Sequence, residues 1–491
     1  MAKKGSGKRH HSGHGALDSA LAQLRTSISS GDVLHAEMQV SLLLSLPLLG
    51  DGTEEEYGLL ADALIDSAEA WGDVPEGAAF LRLLTALGPR PVKRRASEAL
   101  AYYTDAGIYP PEWVSGIGKP SPGLAYGGRD VFGDREVILV TFSYQDAEHA
   151  LFVILDLAEL PMVMSVDMTM DVARLLKFFE GGGELVERLE PVTLSEARRR
   201  IEEPLARAGE NPYVELPEDT LLLVPLARSR VRRLPAPEPA AVTYTAADRA
   251  AAVGEFLACP EAADAGDADV ARFWAQALTG YSGRVPDEPP GQVGKHKLDA
   301  ALLGYVASTF TLSAAQLGGI APAVTAWVRW AASRQGLDEA AAATLMTHLA
   351  TALGDFQATY DDPGSVAARG YVRDIATPDV DAAWLAGCRA RRELAVPLPE
   401  NREAHCEVID AADPDGRAVI VTSEFASCKP DGMPKGDFLS AAMRVANELW
   451  QDEPTATWQR GKTLLAEGHD RHDVIHLLAE PRYGVRTPAA G

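Results

Sequence analysis

Only four cysteines stand in this chain, at positions 259, 388, 406 and 428, and no two form a C-x-x-C pair. Such sparse spacing is not a disulfide framework and suits a reducing compartment. Long apolar runs are missing too. The most apolar region, Val137 to Met164, is interrupted by Gln145, Asp146, Glu148, His149, Asp156 and Glu159. No stretch therefore reaches bilayer-spanning length, and no membrane partner is expected. The basic start, Met1 to Gly15, is followed by no apolar h-region, which argues against a secretory leader. These absences point to a cytoplasmic protein.

Positive charge is scarce. There are 46 Lys and Arg against 70 Asp and Glu, a formal net charge of -24. Outside the N-terminal tail, basic runs are as short as Arg198-Arg199-Arg200. Nucleic-acid binding needs a basic face that displaces counterions, so no nucleic-acid partner is expected. Sequence signatures of chemistry are equally thin. There is no G-x-S-x-G elbow, and no Gly-rich dinucleotide fingerprint follows a strand. Gly5-Ser6-Gly7-Lys8 is not a phosphate loop: Arg9 replaces the Ser or Thr, the upstream Gly is missing, and no strand precedes it. None of the cysteines stands in a catalytic sequence context.

What is present is ordinary globular composition, 46% hydrophobic and 24% charged. The 491 residues suggest roughly three domains and are enough to bury substantial cores. The fold class read from them is mainly α with a central α+β module, multidomain, built of helical hairpins.

Residues 1–15 form a basic, His-containing tail with little to bury, expected to be disordered. His10, His11 and His14 there can capture metal adventitiously. Residues 16–115 read as a helical module. Leu17, Leu21, Leu24 and Ile28 recur at helical spacing, as do Leu59, Leu60, Leu64 and Ile65. Val92 to Ala106 is closed by Gly107.

Residues 116–230 read as the α+β module. Glu136 to Tyr144 and Ala150 to Leu157 form a strand hairpin across a loop, Gln145 to His149, and are apolar enough for both faces to be covered. A helix over Thr169 to Phe179 stops at Gly181-Gly182-Gly183. Thr193 and Glu196 have capping-box spacing before a second helix. Leu221 to Val224 reads as a further strand. Prolines 235, 237 and 239 mark residues 231–246 as a linker. Residues 247–395 form a second helical module, with Trp327 and Trp330 on one helix face. Residues 396–435 are an irregular connector with a strand at Arg417 to Thr422. Residues 436–491 hold a C-terminal helix pair joined around Asp452-Glu-Pro454.

The strongest chemical signal is Gly468-His-Asp-Arg-His472-Asp-Val-Ile-His476. His472 and His476 are four apart, one helix face, which is metal-ligand spacing. With Asp473 the string is an Asp variant of H-E-x-x-H, in which two histidines bind zinc and the carboxylate is the base. His469 is the nearby candidate for a third ligand. The alternative reading makes Asp470 a helix N-cap and the histidines packing residues. Asp156, Asp167 and Asp171 could in principle bind Mg²⁺, but loop and helix-start roles explain them equally well. His149 reads as a turn residue.

The stretch Val445-Ala-Asn-Glu-Leu-Trp450, the turn at Asp452-Glu-Pro454, Trp458, and Gly468 to His476 resemble a small bacterial domain family of unknown function. Its signature is a V-A-N-Q-L-W-like helix end, an acidic-Pro turn and G-x-x-R-H-E-x-x-H. The resemblance covers roughly the last fifty residues. Pro110-Pro-Glu-Trp113, the hairpin from Gly133-Asp134 to Asp156, and Ala326-Trp-Val-Arg-Trp330 are similar to multidomain proteins of GC-rich bacteria. The resemblance implies architecture rather than activity. It also implies a second H-x-x-x-H pair on the preceding helix, where this chain has Phe438 and Ala442, apolar packing in place of ligands.

These readings lead to a non-enzymatic protein-interaction or regulatory protein whose partner is another protein. One alternative is a metal-dependent hydrolase using His472, His476 and His469. Another is small-molecule or peptide binding by the α+β module. No cofactor is expected, zinc being the one candidate.

Overall fold

The computed structural model describes residues 12–480, apart from 50–53, 73, 145–146, 181, 183–185, 209–215, 241, 283, 286, 408 and 429–433. The chain is mainly α with a central α+β module. It divides into two compact units, Met1–Ala241 and Val242–Gly491. No helix among the described residues is long and apolar enough to cross a membrane.

The N-terminal unit begins with five helices: α1 (Ser12–Ser30), α2 (Val33–Leu44), α3 (Glu54–Ala70), α4 (Pro75–Leu87) and α5 (Arg90–Asp105). Residues 1–11 of the expected tail lie outside the described residues, and 12–15 open α1. The expected periodicity is seen in the core. Leu21, Leu24 and Ile28 of α1 and Leu64 of α3 are buried, whereas Leu59 faces solvent. Asp32 caps α2 by accepting from His35 N.

Next comes an antiparallel sheet of β1 (Ser121–Arg129), β2 (Arg135–Tyr144), β3 (Ala147–Asp156), β4 (Met162–Thr169) and β5 (Glu190–Val192), in the order β4-β3-β2-β1-β5. Three helices complete the unit: α6 (Val172–Glu180), α7 (Leu194–Arg207) and α8 (Glu218–Val231). Strand alternation assigns the two faces. Ile138, Val140, Phe142, Leu151 and Val153 share a core with Ile201 of α7 and Val224 of α8. On the opposite face, Val137 and Ile154 pack with Phe179 of α6 and Val186. Gly128 lets the segment around Val186 cross closely, since a Cβ there would lie 2.2 Å from Arg188 O.

Two strand readings are corrected. Leu221 to Val224 lies in α8. That helix is buried on nearly every side, so its sequence carries no amphipathic period to separate it from a strand. Pro225 sits inside it, where a proline disrupts the backbone ladder. Ser41 of α2 fills the gap: its hydroxyl donates to Leu222 O at 2.8 Å and accepts from Leu226 N at 3.1 Å. Arg417 to Thr422 lies in the helix Pro414–Glu424. Proline at the first turn and Asp413, which accepts from Gly416 N at 3.0 Å, outweigh its β-branched residues.

The C-terminal unit packs the helices Ala246–Leu257, Ala268–Ser282, Ile320–Gln335 and Glu339–Asp361 around Trp274 and Trp327. Trp327 and Trp330 do share a face, with ring centroids 4.7 Å apart. Beyond these lie the helices Ala382–Ala395, Pro414–Glu424, Lys435–Gln451, Thr455–Ala466 and Arg471–Ala479. Trp450 is flanked by two guanidinium groups, Arg392 at 4.7 Å and Arg417 at 4.8 Å from its ring centroid. The final segment has three helices because Gly468, at φ 93°, ends one and Asp470 caps the next.

Candidate functional site

The helix Arg471–Ala479 starts as the capping alternative expects: Asp470 accepts from Asp473 N at 2.8 Å. Its two histidines point to different partners. The ring of His472 stacks on Phe425, with centroids 4.5 Å apart and planes at 22°. Its Nε2 lies 3.3 Å from Cys428 Sγ, and its Nδ1 lies 3.4 Å from Glu424 Oε1. His476 packs against Phe438 at 4.6 Å, and its Nδ1 lies 3.3 Å from Glu480 Oε1. Phe438 and Ala442 are fully buried, so apolar packing occupies the positions where the resemblance implies ligands.

The predicted metal ligands do not converge. His469 is exposed in the turn between helices, its backbone N–H donating to Leu464 O. Asp473 is exposed as well. Among the described residues no group of three or more His, Cys, Asp or Glu side chains could hold a metal ion. Cys428 and Glu424 address opposite ring nitrogens of His472, and a metal on either nitrogen would have only one of them beside it.

Sequence reasoning missed Cys428. It stands 44 residues before His472, and only the fold brings thiol and imidazole together. Glu424, four residues before Cys428, was the one available hint. The Glu424 side chain is 17% exposed. Its Oε1 is paired with the Arg471 guanidinium, which also donates to Glu393 O and Ala395 O. Burial first, then the Glu424 charge, pushes the Cys428 thiol above its usual range, against a smaller lowering by Lys435. The neighbouring Ser423 hydroxyl donates to Glu403 Oε2 at 2.8 Å and lies 3.3 Å from His405 Nε2.

In the N-terminal unit, Asp156, Asp167 and Asp171 turn out to be backbone acceptors. Asp156 takes Ala158 N, Asp167 takes Met168 N, and Asp171 takes Arg174 N at the start of α6. A groove of about 400 Å³ lies between α6 and the sheet, lined by Phe152, Asp167, Asp171, Arg174, Leu175 and Phe178. Phe178 is 67% exposed and Met170, next to Asp171, is 58% exposed. Edge strand β4 offers little for strand addition: Val166 N donates to Thr220 Oγ1 and Met168 N to Asp167.

His149 is corrected from turn residue to buried strand residue. It lies in β3, stacked against Phe142 and Tyr144 at 5.7 and 5.9 Å. Arg230 Nε donates to its Nε2 at 3.0 Å. Burial, then the Arg230 charge, lowers its pKa to about 3. The neutral ring therefore carries its proton on Nδ1. The apolar residues beside it and the guanidinium from α8 extend the hairpin by the residues expected to form its loop.

Compared with protein-family models, with curated proteins and with solved structures, the chain matches none.

Proposed function

We propose that this chain is a protein-interaction protein, and that the outer-face groove of the α+β module receives an apolar side chain of a peptide or protein partner. The observation that carries the reading is Phe178. A large aromatic left 67% exposed beside an open groove, with Leu175 and Phe152 along its wall, is the kind of apolar patch that marks interaction surfaces. Aromatic anchors in such patches supply much of the energy of protein recognition.

The rim sets the partner's charge. Asp167 and Asp171 outnumber Arg174, and the whole chain carries a net charge of -24. A partner with Lys or Arg beside its apolar anchor is favoured by this field. Because the outward N–H groups of β4 at Val166 and Met168 are already used, recognition proceeds through side chains rather than by an added strand.

Selection of a displayed peptide library on the full chain tests the reading. The expected result is enrichment of peptides that pair an aromatic or aliphatic residue with a basic one, binding at least about tenfold more weakly to Phe178→Asp. Failure to enrich any sequence, or binding indifferent to Phe178→Asp, would overturn it.

A further inference from the structure

Cys428, His472 and Glu424 lie in a line across one imidazole. The thiol sulfur is 3.3 Å from Nε2, and the carboxylate is 3.4 Å from the opposite nitrogen, Nδ1. This is the order nucleophile, base, orienting carboxylate that activates weak nucleophiles. We propose that Cys428 is a nucleophile toward activated acyl groups, with His472 as its general base and Glu424 as the residue that positions the imidazole. The inference is independent of the groove in the N-terminal unit.

The surroundings of the ring support it. Phe425 holds one face of His472 at 4.5 Å, so the imidazole is fixed in plane as well as in direction. Arg471, anchored on Glu393 O and Ala395 O, holds the Glu424 carboxylate. His472 is 42% exposed and Cys428 is partly exposed, so neither partner of the pair is sealed from solvent.

The reaction balances without a cofactor. Cys428 Sγ attacks the carbonyl carbon of an ester or thioester, and the thiol proton passes to His472 Nε2. The bond from the carbonyl carbon to the leaving group breaks, and the leaving group takes that proton. A water then gives a proton to the same nitrogen and attacks the thioester on Cys428. The C–S bond breaks, the sulfur regains the proton, and the acid is released. Because burial and Glu424 raise the thiol, it keeps its proton at neutral pH. Attack must then be coupled to proton transfer, which gives His472 its role.

p-Nitrophenyl acetate is the probe, used on the full chain at neutral pH with peptide mass mapping of the acetylated cysteines. Cys259 is the internal reference, since it is also partly exposed and also raised by burial. The expected result is acetylation of Cys428 at least about tenfold faster than Cys259, and about 100-fold slower in His472→Gln. His476→Gln, whose imidazole faces Glu480 and Phe438, leaves the rate within about twofold, since the proton acceptor beside Cys428 is His472. Glu424→Gln slows the reaction, with Glu424→Asp restoring part of the rate. Acetylation of Cys428 no faster than Cys259, or a rate unchanged in a folded His472→Gln chain, overturns the proposal.

Discussion

Glu37 of α2 and Arg230 of α8 meet at 2.6 Å with neither side chain exposed at all. The other carboxylate oxygen accepts from the Tyr144 hydroxyl at 2.7 Å and from Gly118 N at 2.8 Å. One buried carboxylate thus ties a helix of the hairpin module to the sheet and to α8. Removing one partner of a buried ion pair leaves an uncompensated charge in low dielectric, which costs about 3–5 kcal/mol.

Glu37→Ala is therefore expected to lower the urea midpoint of the N-terminal unit by far more than Ser41→Ala. Ser41 bridges the same two helices through neutral hydrogen bonds worth about 1 kcal/mol each. Urea unfolding followed by hydrogen exchange at α2 and α8 reports both. A smaller shift for Glu37→Ala than for Ser41→Ala would show that the pair is not a keystone of this unit.

The same network fixes a pH dependence. His149 in the folded chain is lowered to about 3 from its ordinary 6.5. Below pH 6.5 the unfolded chain takes up a proton that the native ring refuses. The unfolded state then binds more protons, so stability falls as pH drops from 6.5 toward 3 and is flat above that window. The slope from this one group is about 1.4 kcal/mol per pH unit. Unfolding midpoints between pH 4 and pH 8 are expected to show it in the wild type and to lose it in His149→Phe, which keeps a ring between Phe142 and Tyr144. An equal slope in both chains would place the acid sensitivity elsewhere.

Much of this was legible in the sequence wherever a residue acts through its immediate neighbours. Leu21, Leu24 and Ile28 lie one helical turn apart and are buried together. Asp470 caps because a carboxylate three residues before Asp473 reaches its N–H. What was illegible depends on distant chain. The run at Leu221 reads as a strand until α2 and the sheet are known to bury every side of it. His149 looks like a loop residue until Arg230, 81 residues away, reaches its ring. Cys428 looks inert for the same reason, since its imidazole partner His472 stands 44 residues away.

The metal reading of the C-terminal histidines makes the opposite demand on the same atoms. Zinc in a protein takes three or four donors at bonding distance around one point. Here His476 faces Glu480 and Phe438, while Cys428 and Glu424 flank His472 on opposite nitrogens. Elemental analysis of untagged chain lacking residues 1–15, and with them His10, His11 and His14, is expected to find well under one zinc per chain, the same in His472→Ala. Stoichiometric zinc that disappears in His472→Ala would mean that the His472 imidazole and the Cys428 sulfur beside its Nε2 share one metal with further donors. The thiol would then be a ligand, held as thiolate, and acetylation at Cys428 would be suppressed by metal and restored by a chelator. The two measurements therefore bear on each other: metal loading and acylation compete for one sulfur and one ring.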